Sequence, residues 1–130
     1  MMVQSHVFFW NWSVNRRPAL RSMCKLDLSH SQLYKLPEAI GFLPSLTHLF
    51  LNDNHLSFLH PEIIRRLVNL QELDLRNNLL NGFALDFTEL SCLQRLSLQG
   101  NPLKNDDTRK LIKLAHERWI DIAGECKILS

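Results

Sequence analysis

Between residues 23 and 103 the apolar positions follow a rhythm that neither a helix nor a strand would produce alone. LQELDLRNNLL, from Leu70 to Leu80, has leucine at positions 1, 4, 6, 10 and 11, with Asn78 at position 9. A helical stripe recurs every three to four residues, and a strand alternates every two. LTHLFLNDNHL from Leu46 and LQRLSLQGNPL from Leu93 repeat the arrangement. MCKLDLSHSQL from Met23 repeats it with Met23 at the first position and Ser31 in the asparagine place. Successive starts lie 23, 24 and 23 residues apart. An even period of this size predicts supersecondary units that stack and share one core.

Within a unit, Leu73 and Leu75 are two residues apart and point to the same side of an extended backbone, while Glu72, Asp74 and Arg76 point to the other. A strand this short cannot bury its leucines by itself. Set beside Leu26/Leu28, Leu49/Leu51 and Leu96/Leu98, it predicts a short parallel sheet with one apolar face. Asn54, Asn78 and Asn101 stand at the turn after each strand, where an inward carboxamide satisfies buried backbone groups. The hydroxyl of Ser31 does only part of that work, so the first repeat is expected to be the looser one.

Helical spacing appears in the segments that return the chain to the next strand. HPEIIRRLVN, from His60 to Asn69, has Pro61 where a helix can begin and Ile63, Ile64 and Leu67 on one side. LPEAIGFLPS, from Leu36 to Ser45, is interrupted by Gly41, and about one helical turn is expected there. GFALDFTEL, from Gly82 to Leu90, has no proline, and Phe83, Leu85, Phe87 and Leu90 are expected to fill the core in irregular structure. At the C-terminal end Asn105, Asp106 or Asp107 caps a helix whose one side carries Leu111, Leu114, Ala115, Trp119 and Ile122. At the N-terminal end Val7, Phe8, Phe9, Trp10 and Trp12 either cover the first repeat or form a docking surface.

The four copies of L-x-x-L-x-L-x-x-N-x-L resemble the leucine-rich repeat family, of the short intracellular type, over Met23 to Leu103. The resemblance implies an α/β leucine-rich repeat solenoid, with a short parallel sheet on the concave face and helical or irregular returns on the convex face. It also implies an asparagine ladder. GNPLKNDDTRKL is similar to the family's closing segment, which leads into a C-terminal capping helix. The expected organisation is a capping segment over 1–22, repeats at 23–45, 46–69, 70–92 and 93–104, and a cap helix and tail over 105–130. In the family this fold serves recognition of proteins and not catalysis.

Composition narrows the function further. The 130 residues are 45% hydrophobic and 22% charged, ordinary for one globular domain. A net charge of +2 does not imply a nucleic-acid partner, and the basic residues are scattered. No apolar run approaches the roughly 20 residues of a membrane span, and the first residues lack the plan of a signal peptide. Cys24, Cys92 and Cys126 are odd in number and far apart, so reduced thiols in a cytoplasmic protein are expected, with the nucleus as the other compartment.

No nucleophile elbow, phosphate-binding loop, zinc-protease motif or calcium loop occurs. His48 lies on the open sheet face between Asp27 and Asp74, which raises the idea of a metal site. Lys25 and Arg76 compete for those carboxylates, and a solvated mixed-charge face is the expectation. Across the repeats the outward columns are Lys25, His48, Glu72, Arg95; then Asp27, Phe50, Asp74, Ser97; then Ser29, Asn52, Arg76, Gln99.

Phe50 is expected to stand in water as an apolar anchor near the centre of this face. The protein-binding set is therefore Lys25, Asp27, His48, Phe50, Glu72, Asp74, Arg76 and Arg95. A monomer with no cofactor, binding a protein partner and neither membrane nor specific nucleic acid, is the expectation. The alternative is a targeting or regulatory subunit of a larger assembly, since LNDNHLS and GNPLKNDDTRKL are similar to the repeat segment of messenger-RNA deadenylases. A cryptic metalloenzyme is the second alternative.

Overall fold

The computed structural model of the chain describes residues 22–80, 90–103, 109, 113 and 121–123. Each repeat contributes one three-residue strand: β1 (Lys25–Asp27), β2 (His48–Phe50), β3 (Glu72–Asp74) and β4 (Arg95–Ser97). A further strand, β5 (Asp121–Ala123), follows. All pair in parallel and in chain order. Leu26, Leu49, Leu73 and Leu96 face one another in register and are between 0% and 6% exposed. Leu51, Leu75 and Leu98 join them in one core, with Met23 and Leu28 partly buried against it. None of these strands has an interior of its own. Each gains one from its neighbours, as stacked repeats do.

The returns form the opposite wall. Pro61 opens a short helix, α1 (Pro61–Arg65), at the position where its missing N–H costs nothing. The equivalent stretch of the preceding coil is a 3-10 helix over Glu38–Phe42, preceded by Pro37. Ala39, Ile40, Leu43, Ile63, Ile64 and Leu67 point inward and are buried. Of the third return, Leu90 is described and buried. Phe83, Leu85 and Phe87 lie outside the described residues, as does the aromatic N-terminal segment.

The C-terminal end departs from the expected single amphipathic helix. Arg109 and Lys113 are helical, but Ile122 is in a strand, paired with Leu96 of β4. The step from Arg95 to its partner Asp121 is 26 residues, close to the repeat period. An edge strand leaves a row of backbone donors and acceptors unpaired. β5 covers the edge of β4, and Ile122 matched the helical spacing by coincidence. Asn105 to Asp107, Leu111, Leu114, Ala115 and Trp119 lie outside the described residues.

The asparagines do the work expected of them, with a direction to it. Asn78 Nδ2 donates to the carbonyls of Leu75 and Arg76 in its own turn and of Leu51 one coil back, while its Oδ1 accepts from Leu56 N. Asn54 donates to Leu28 O, Leu51 O and Asn52 O and accepts from Ser31 N and Leu33 N. Asn101 donates to Leu75 O and Leu98 O and accepts from Leu80 N. Each carboxamide thus braces the preceding coil. Ser31, whose hydroxyl donates to Ser29 O, sits in a turn braced from the next coil by Asn54.

Candidate functional site

The strand register brings the outward side chains into the columns that the repeat spacing predicts. Lys25, His48, Glu72 and Arg95 occupy one row, and Asp27, Phe50, Asp74 and Ser97 the next. Backbone bonds continue the alignment beyond the strands, from Leu28 N to Phe50 O, Leu51 N to Asp74 O and Leu75 N to Ser97 O, each 2.8 Å. Adjacent side chains therefore stand one strand spacing apart, about 4.8 Å, on a face whose backbone is already fixed.

Within this face the charges are paired locally. The Arg76 guanidinium grips Asp74 through Nε to Oδ1 at 2.9 Å and Nη2 to Oδ2 at 2.8 Å. Arg76 N also donates to Asp74 Oδ1, at 3.1 Å. Hydrogen bonding to Asp74, and then its charge, raises the guanidinium above its ordinary value, so Arg76 stays cationic. Asp74 is only 6% exposed. It is not the solvated charge expected on this face, because Arg76, two residues on, folds back and covers it. Arg76 remains exposed.

Asp27, at the same position of the first repeat, accepts instead from Ser29 Oγ at 2.6 Å and Ser29 N at 2.9 Å. The hydroxyl bond first, and the backbone bond second, hold this carboxyl below the ordinary carboxylate value. On the other row, Glu72 lies between two cationic or protonatable partners. His48 Nε2 is 3.8 Å and Arg95 Nε 4.0 Å from its two oxygens. His48 Nδ1 is 2.8 Å from Thr47 Oγ1.

Phe50 is half-buried, not free in water as expected. A ring on β2 is flanked by β1 on one side and β3 on the other, which reduces what solvent can reach. The side chains that raised the idea of a metal site, His48, Asp27 and Asp74, have other partners. Asp74 is engaged by Arg76, Asp27 by Ser29 and His48 by Thr47, and the described residues contain no group of three or more metal-ligating side chains.

A further column, which the leucine spacing does not predict, lies at the rim of the sheet. His30, Asp53, Asn77 and Gly100 occupy the same repeat position, at the rim where strands give way to turns, and all have positive φ, from 54° to 77°. Asn77 Nδ2 donates to Asp53 Oδ1 at 2.9 Å, Asn52 Nδ2 to Asp53 Oδ2 at 2.7 Å, and His30 Nε2 lies 3.4 Å from Asp53 Oδ2. The Asn52 bond, then the Asn77 bond, depress the Asp53 carboxyl below its ordinary value. A Cβ at Gly100 would collide with Asn77 Oδ1. Asp, Asn and Gly at one repeat position was the available signal, since these residues tolerate left-handed backbone best.

Comparison with known proteins agrees with this architecture. A family profile described as "Leucine rich repeat" matches residues 44–103. The chain is similar to mouse (Mus musculus) lumican, 33% identical over 118 residues that cover 85% of this chain and 34% of lumican. It is 45% identical over 80 residues to the bovine (Bos taurus) geranylgeranyl transferase type-2 subunit alpha, covering 60% of this chain and 14% of the subunit. The solved structure of the Leptospira interrogans LRR protein LIC12759 superposes with a TM-score of 0.69 at 34% identity, covering 77% of this chain and 25% of that one. The chain thus spans about a third or less of these proteins, and the likeness carries the repeat architecture, not the activity of the whole relative. The repeat motif, the parallel register, the backward-reaching asparagines and these likenesses together place the chain in the leucine-rich repeat family.

Proposed function

We propose that the chain is a non-catalytic recognition module that binds a protein partner on its concave sheet face. The observation that supports this reading is the strand register, which aligns Lys25, His48, Glu72 and Arg95 in one row and Asp27, Phe50 and Asp74 in the next, and these residues with Arg76 are the proposed set. Phe50 supplies apolar contact at the centre. Arg76 presents a guanidinium whose position is set by Asp74 before any partner arrives, so little ordering is required on binding. Asp74 acts on the partner through Arg76 and does not meet it directly. The Glu72 cluster beside them adds a second polar contact whose charges fix orientation more than they add affinity. A cytoplasmic or nuclear setting is part of the same proposal, as are a monomeric state and the absence of a cofactor.

Affinity capture with the intact chain and with a Phe50→Ala, Arg76→Ala variant tests this reading. Loss of a central anchor costs about 2 kcal/mol or more, roughly thirtyfold in Kd. The variant is expected to lose the partner that the intact chain retrieves. Equal retrieval by both proteins removes the concave face from consideration.

A further inference from the structure

The loops that follow the strands carry a second set of exposed side chains, on a flank separate from the concave face. In LYKL, Leu33 and Leu36 are buried and Tyr34 is left 72% exposed; in LSFL, Leu56 and Leu59 are buried and Phe58 is left 51% exposed. Both rings are placed outward by the leucines around them, and neither contributes to the core. The coils are joined along this flank by His55 N to Leu33 O and Leu79 N to Leu56 O, each 2.8 Å. His55 and Leu79, equivalent in the repeat, therefore stand in adjacent coils. Tyr34 stacks on His55 with centroids 5.0 Å apart, Phe58 leans toward His60 at 6.4 Å, and Leu79 is 50% exposed. Scattered apolar residues on a surface are ordinary, whereas large ones gathered on one flank are of the kind that a partner covers.

The charge of the flank differs from that of the sheet. Residues 30–37 and 55–61 contain Lys35 and three histidines and no carboxylate. Bordering carboxylates are Asp53, held at the rim by Asn52 and Asn77, and Glu38 and Glu62, in the helical turns beyond. The tyrosine hydroxyl, the ammonium and the imidazole N–H groups are donors that carboxylates accept.

We infer that this flank, centred on Tyr34, His55 and Phe58, is a second recognition surface for an acidic protein segment that carries apolar side chains. It is independent of the concave site, where Arg76 is paired with Asp74, and Glu72 with His48 and Arg95.

The test uses the intact chain and a fluorescein-labelled peptide of alternating glutamate with leucine or phenylalanine, read by anisotropy. The controls are the same peptide with lysine for glutamate, and a uridine oligonucleotide of equal charge. Binding of the acidic peptide is expected, with amide shift changes at residues 32–36 and 55–60. Tyr34→Ser with Phe58→Ser should weaken it by about tenfold or more. Phe50→Ala with Arg76→Ala should leave it unchanged, which separates this inference from the concave-face proposal. Both flank residues are exposed, so the variant keeps its circular dichroism and melting temperature. Absent binding, equal binding of the lysine peptide or of the oligonucleotide, or an unweakened flank variant would each overturn the inference. So would a dimer of the chain alone, seen in sedimentation and abolished by the flank substitutions, since the occupant would then be a second copy.

Discussion

Asn77 and Asn78 are adjacent in sequence and do opposite work. Asn78 is 3% exposed and bonds only backbone: three carbonyls and one amide, across two coils. Asn77 is exposed, has left-handed backbone and bonds a carboxylate, Asp53, of the preceding coil. One belongs to an inner column with Asn54 and Asn101, the other to an outer column with His30, Asp53 and Gly100. The inner column meets hydrogen-bonding needs that burial creates and water cannot meet. In the outer column solvent competes for every bond. Burial, and not the number of bonds or the residue type, should therefore decide what each is worth.

Asn78→Ala is the sharpest way to break the inner column. It leaves the Leu56 N–H without its acceptor inside the core, where a buried unmet group costs about 1–3 kcal/mol, while Leu51 O, Leu75 O and Arg76 O each lose one bond and keep another, from Asn54, Asn101 and Asp53 N. A loss of about 2–3 kcal/mol is expected in urea unfolding, a large fraction of the stability of a domain this size. Asn101→Ala, in a half-buried position with fewer bonds, should cost less. Equal losses at Asn78 and Asn77 would contradict the comparison.

Gly100→Ala comes next. At φ 77° an L side chain is strained by about 1 kcal/mol, and the added Cβ displaces Asn77 Oδ1. A loss of about 1–2 kcal/mol is expected. If the collision matters as much as the backbone, Asn77→Ala made together with Gly100→Ala should recover part of it. The double variant would then be more stable than the sum of the two single losses predicts.

The same contrast explains what was legible in the sequence. The leucine columns, the strand register and the inner asparagines follow from a period that only stacked coils satisfy, and burial enforces all three together. The two helical returns were visible because Pro37 and Pro61 mark their beginnings and buried residues mark their inner side. Ile122 was misplaced because an apolar residue at helical spacing and one at the centre of a three-residue strand look alike when no repeat motif surrounds them. The sequence reads Asp74 as a solvated charge because the fold-back of Arg76 depends on rotamers, which periodicity does not encode. The outer column went unseen because its members, His, Asp, Asn and Gly, share a backbone conformation and not a chemistry.

The smallest expected effect lies at Asp53, where the outer column carries charge. Its carboxyl is depressed in the folded chain, first by the Asn52 bond and then by the Asn77 bond, so the folded state binds a proton there less readily than the unfolded chain. A depressed carboxyl contributes stability that is present above the ordinary value, 3.8, and is lost as pH falls through the lower folded value. Asp53→Asn keeps an acceptor for Asn77 and removes the charge. At neutral pH it should lower the melting temperature by only about 1 °C, because solvent and salt screen the site. The difference between the intact chain and Asp53→Asn should then hold down to about pH 4 and shrink as melts are taken below it. Asp27, held down by Ser29, should decline with it in the intact chain, so the comparison is made against an Asp27→Asn background to isolate the outer column. A difference that grew as pH fell would reverse the sign argued here, and the outer column would then be held by its neutral amides and not by the carboxylate.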